Sequence, residues 1–196
     1  MMRGLLTTLV ILVFAVGAFA ADSPIDKGSM MVGGSLYYMN QGGDAYEIGG
    51  EAQSTFMLEP SFGYFIAPSI MIGANIEMMS YSVGDHKDND FYFGPMVGYF
   101  FNVGQTRTEA KGGMYPYVIG FFMMGSSKTE NGETYKENLT AFGGKAGINY
   151  MLTNSVALDI KIQFSSDSWK QKEPEEFDAI SGTTMMIGAG ISAFVF

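Results

Sequence analysis

From Gly28 to Phe196 the large apolar side chains recur at every second residue, in eight segments parted by breaks rich in Gly and charge. A period of two marks a strand with one apolar face, whereas an amphipathic helix repeats every 3.6 residues. The segments run approximately 29–40, 54–66, 69–82, 90–102, 114–125, 139–152, 156–165 and 182–196. Each is long enough for a tilted membrane strand of about 9 to 11 residues.

The parity of the apolar residues sets the faces. One row holds Phe56, Leu58, Phe62 and Tyr64, then Ile70, Ile72, Ile76 and Met78, then Val156, Leu158, Ile160, Ile162 and Phe164. The interleaved row holds Ser61, Gly63, Gly73, Asn75, Gly143, Gly147, Asn149 and Gln163, with Glu59, Glu77, Lys145, Asp159 and Lys161 as its only charges. A soluble barrel would turn its polar row to water and fill it with Lys and Glu. So few charges among so many glycines cannot solubilise an exterior, but they suit a packed narrow lumen. The apolar row then points outward, and its solvent is lipid.

Connection lengths agree with an outer-membrane barrel, which has short turns on the periplasmic side and longer external loops. Ala67-Pro68 and Thr153-Asn154-Ser155 are tight turns, and Gly104 to Gly113 is a longer one on the same side. The opposite side carries breaks at 41–53, 84–90, 126–137 and 166–180, with formal charges of -3, -2, -1 and -3, equal to the whole chain's -9. Tyr64, Tyr99, Phe101 and Tyr150 end outward rows on the periplasmic side, as in an interfacial aromatic girdle.

Ahead of the strands, Arg3 is followed by an apolar run from Leu5 to Ala18 and then Ala18-Phe19-Ala20. The run is shorter than the ~20 residues of a membrane helix and ends in a small-residue cleavage pattern. Residues 1–20 are therefore expected to be a secretory signal peptide, and residues 21–196 the barrel domain.

These features together resemble the small eight-stranded outer-membrane β-barrels of the OmpA and OmpX type. The carrying residues are Ala18-Phe19-Ala20, the eight alternating strands, Phe62-Gly63-Tyr64-Phe65, Gly98-Tyr99-Phe100-Phe101 and Phe194-Val195-Phe196. The resemblance implies an all-β fold, an eight-stranded antiparallel transmembrane up-and-down β-barrel in the bacterial outer membrane. It also implies that Phe194 and Phe196 act as the terminal signal read by the barrel-assembly machinery. The Gly usual five positions before the end is Ile191, so a bulge is expected there to keep Ile191 off the lumen face. Pro60 and Pro95 fall inside strands of a sheet with no free edge, and bulges are expected beside them too.

Inside the barrel, Glu59 and Glu77 lie equally far from the Pro68 turn and should face one another, while the Asn154 turn brings Lys145 near Lys161 and Asp159. The acidic pair then faces the basic pair across the ring. Buried like charges are costly without opposite charges in reach, which predicts an ion-pair network closing the bore, packed round by Tyr37, Met57, Met71, Tyr92 and Met96. The alternative is separate charges solvated by lumen water.

No Cys is present, which excludes disulfides, Cys-ligated zinc, iron-sulfur clusters and thiol catalysis. The acidic balance excludes a nucleic-acid partner. The acidic loops lack any EF-hand spacing and read as solvated surface in preference to a cation site. The sole His, His86, has Asp85 and Asp88 beside it but no placed Ser, and no phosphate loop or nucleophile elbow occurs. No enzyme activity, cofactor or metal is expected. The readings that remain are a structural or surface-interaction barrel, a small low-conductance channel and, last, a lipid-modifying enzyme. The expected surroundings are outer-membrane lipid and lipopolysaccharide.

Overall fold

The computed structural model describes residues 23–41, 47–48, 51–83, 86–101, 110–130, 134–173 and 180–196, with side chains described for 23–37, 55–82, 89–101, 110–126, 139–168 and 181–196. The proposed signal peptide lies outside the described residues, as do 42–46, 49–50, 84–85, 131–133 and 174–179 of the external breaks. The strands are β1 Met30–Gln41, a two-residue β2 Glu47–Ile48, β3 Glu51–Ala67, β4 Ile70–Val83, β5 His86–Phe100, β6 Met114–Glu130, β7 Thr134–Met151, β8 Val156–Glu173 and β9 Ile180–Val195. Each long strand pairs antiparallel with the next, and β1 pairs with both β3 and β9, so eight strands close a barrel. Where the β1–β9 seam is paired, from Met30 with Val195 to Leu36 with Ala189, closure removes the free edges that would otherwise leave backbone polar groups unsatisfied in lipid.

Burial alternates along every strand. Met57, Glu59 and Phe65 are buried on β3 while Phe56, Leu58 and Phe62 are exposed. Ile160, Ile162 and Phe164 are likewise exposed between buried Asp159, Lys161, Gln163 and Ser165. Tyr99, Phe101 and Tyr150 are exposed near the periplasmic ends, with the Tyr99 and Phe101 rings 5.2 Å apart edge to face.

The strands run further outward than hydrophobic patterning indicates. β6, β7 and β8 continue to Glu130, from Thr134 and to Glu173, through polar stretches read from the sequence as loops. Ladder pairing to a neighbour holds a strand together where no apolar face exists to announce it. Asp167, assigned by sequence to an acidic loop, is in consequence a buried lumen residue on β8.

The expected bulges are absent. Register is unbroken through Pro60 against β1 and through Pro95 against β4, and pairing toward the other neighbour resumes at the same offset beyond each proline. In an antiparallel ladder a residue's N–H and C=O both face one neighbour, so a proline interrupts one ladder only. The register shifts that do occur lie at Phe65/Ala67 and Lys136/Glu137. Nor does β9 bulge at Ile191, whose pairing to β8 is continuous from Ile180 to Ala193. Ile191 faces lipid with Met185, Ile187 and Val195, and it is Phe194 and Phe196 that turn inward and are buried.

The periplasmic mouth is closed by an apolar plug that patterning alone did not disclose. Residues 23–29 fold back across it: Gly28 N–H donates to Phe65 O at 2.9 Å, and Ser69 N–H to Ile25 O at 2.9 Å. Ile25, Phe65, Phe100, Tyr115, Met151, Phe194 and Phe196 pack there as one buried cluster. The Phe65 and Phe100 rings meet edge to face at 5.2 Å, and Phe100 stacks on Tyr117 at 5.1 Å. Ser69 adopts a left-handed φ of 68° at the β3–β4 turn, a conformation that costs about 1–2 kcal/mol for a residue with a Cβ. Its backbone is held on both sides, since its carbonyl also accepts from Phe100 N–H at 2.8 Å.

Candidate functional site

Above the plug the lumen narrows to a band of charge. Glu59 on β3 is its centre: Oε2 lies 2.9 Å from Lys145 Nζ of β7, and Oε1 lies 2.5 Å from Lys161 Nζ of β8. In the ring β3 stands diametrically across from β7, so the Glu59–Lys145 pair spans the full bore. Lys161 is 3.6 Å from Asp159 Oδ2, and Lys145 is 3.8 Å from Glu77 Oε1. All five side chains are at most 9 % exposed.

The register explains how they meet. Leu58 pairs with Met78 and Ser61 with Asn75, which brackets Glu59 opposite Glu77 on the same row. Lys145 pairs with Gln163 and Gly147 with Lys161, so the two lysines are diagonal neighbours, with Glu59 between them. Glycine at 147 makes the room, since a Cβ there would press on the Tyr117 hydroxyl.

Neutral partners hold the carboxylates that the lysines do not saturate. Tyr117 Oη donates to Asp159 Oδ1 at 2.7 Å, and Gln163 Nε2 and Asn75 Nδ2 donate to Glu77 Oε1 at 3.0 and 3.3 Å. Lys145 Nζ also sits 5.1 Å above the Phe121 ring, a cation–π contact. Tyr37, Met57, Met71, Tyr92 and Met96 lie on the same inward rows, all but Tyr37 fully buried. An eight-stranded interior is only wide enough for side chains, and here they meet across it.

Sequence reasoning missed Tyr117, Asn75 and Gln163 as partners, together with the aromatic plug. Their signal was parity: each sits an even number of residues from a charged lumen position on its own strand or ladder. Phe194 and Phe196 could have been oriented in the same way, because Met185, Ile187 and Ile191 hold the opposite, outward parity of β9.

The chemistry available to this band is electrostatic closure. Among the described residues no cluster of His, Asp and Glu can hold a metal ion. His86 and Asp88 begin β5, but their side chains, like the whole of Asp85, lie outside what the structure describes.

Comparison with known proteins agrees with this architecture. Neisserial surface protein A superposes with a TM-score of 0.59 at 13% identity, covering 90% of this chain and 100% of that one. The N-terminal β-barrel domain of Pseudomonas aeruginosa OprF gives a TM-score of 0.53 at 15% identity, covering 86% and 98%. The outer membrane protein OprG from the same organism gives 0.52 at 12%, covering 88% and 99%. These likenesses show the fold. No curated protein matches the sequence. The model of the outer membrane protein beta-barrel domain matches residues 6–192, and with the lumen, the lipid-facing rows and the closed ring already described, the chain belongs to that family of bacterial outer-membrane proteins.

Proposed function

We propose that this protein is a closed outer-membrane barrel that holds acidic external loops at the cell surface, with a structural or surface-interaction role and no catalytic one. The observation that carries the reading is the double seal of the lumen: the Glu59, Glu77, Lys145, Asp159 and Lys161 band above, and the Ile25, Phe65, Phe100 and Phe194 plug below. Either barrier excludes hydrated ions, the first by bridging the bore and the second by filling it with apolar side chains. Its surroundings are outer-membrane lipid and lipopolysaccharide, met by the apolar rows and aromatic girdle. Phe194 and Phe196 serve the barrel-assembly machinery during biogenesis, before they are buried in the plug.

Planar-bilayer recording of the refolded protein tests this. The expected result is no stepwise conductance, both for the natural sequence and for Lys145→Ala/Lys161→Ala, whose aromatic plug remains. Steady unitary conductance of the natural sequence would replace the proposal with a small channel. Unchanged outer-membrane lipid composition with His86→Ala is expected, and a change would make the protein a lipid-modifying enzyme.

A further inference from the structure

The seam between β1 and β9 is only half closed. Pairing runs from Met30 with Val195 to Leu36 with Ala189 and stops. Beyond it, among the described residues, Tyr37 to Gln41 pair with β3 alone, and Ile180 to Gly188 with β8 alone. A cavity of about 500 Å³ opens at this gap. Its lining comes from both sides of the wall: Leu36, Met185 and Ile187 face lipid, while Met57, Met79 and Met186 face the lumen. Among the described residues it is therefore an opening in the barrel wall on the external side of the charged band.

Two further features describe what would sit there. The unpaired strand edges expose backbone polar groups that bare hydrocarbon cannot satisfy, so the gap suits a molecule that is partly polar. Inside it, Met79, Tyr81, Thr184 and Met186 also line a small lumen vestibule whose charged lining residues are Glu77, Asp90 and Asp167, all acidic. Asp167 is fixed by Thr184 Oγ1, which donates to it at 2.6 Å. The outer lip is strongly apolar, with Met185 and Ile187 at 76% and 72% exposure.

We propose that this gap is a lateral binding window for a single-chain cationic amphiphile, its alkyl chain lying between β1 and β9 and its head in the acidic vestibule. Methionine methyl NMR of the natural sequence in lipid nanodiscs tests it, with dodecylammonium as probe and dodecanoate as the control of equal chain length. Dodecylammonium should shift Met57, Met79 and Met186 saturably and leave Met71 and Met151 in the sealed lower lumen unmoved. Its chain should give Overhauser contacts both to Met186 and to lipid-facing Met185. Dodecanoate should leave the three lumen methyls in place. Asp167→Asn should weaken dodecylammonium about fivefold, the difference between a charged and a neutral hydrogen-bond partner. Shifts confined to Met185, an equal response to amine and carboxylate, or an unchanged affinity in Asp167→Asn would each overturn the proposal. The result does not depend on whether the axial bore conducts.

Discussion

Lys161 Nζ and Glu59 Oε1 lie 2.5 Å apart although 102 residues separate them and they stand three strands apart around the ring. With Lys145 on the other oxygen, Glu59 is the one carboxylate that both lysines share. Removing it leaves two buried ammonium groups competing for Asp159 and Glu77. Glu59→Ala should cost about 3–5 kcal/mol of unfolding free energy, the usual penalty for breaking a buried pair from one side. Urea titration of the refolded protein in vesicles measures it, and a loss below about 1 kcal/mol would mean that the charges are separately solvated.

The plug makes a second prediction. Phe100 is fully buried and touches both the Phe65 and Tyr117 rings, so Phe100→Ala should cost about 3–5 kcal/mol in the same titration. Phe194→Ala should lose a similar amount in purified lipid, where no assembly machinery is present. Were Phe194 only a signal, its replacement would slow assembly in cells and leave this in vitro stability untouched.

Two glycines on neighbouring strands should behave oppositely. A Cβ on Gly94 would fall on the backbone carbonyl of Phe122, which cannot move without parting β5 from β6 beside the gap that Pro95 already makes. A Cβ on Gly120 meets nothing within 4 Å. Gly94→Ala should destabilise by about 1–3 kcal/mol, as overpacking does, while Gly120→Ala stays within about 0.5 kcal/mol of the natural protein. Thermal or urea midpoints in one lipid decide the comparison.

Ile162 is 54% exposed and stands between Lys161 and Gln163, both buried in the lumen. Ile162→Arg should therefore cost about 2–4 kcal/mol in a bilayer, the penalty for a cation on the lipid face near the midplane. A negligible cost in vesicles would reverse the assignment of inside and outside.

The period of two, the row of Glu59, Glu77, Lys145, Asp159 and Lys161, and the scarcity of other strand charges were legible in the chain, because lipid outside and a packed lumen inside impose opposite chemistry on alternate residues. From those came the strand number, the faces and which charges share the interior. Closure of the ring decided what local pattern could not. It set how far β6 to β8 run through polar residues, carried Pro60 and Pro95 without a bulge, turned Phe194 and Phe196 inward, and folded Ile25 across the mouth. These outcomes depend on what stands opposite each residue across a gap or a ladder, and that partner is often a hundred residues away. The half-open seam of β1 and β9 is of the same kind: it arises where the first and last strands diverge, a relation between the two ends of the barrel that neither segment records alone.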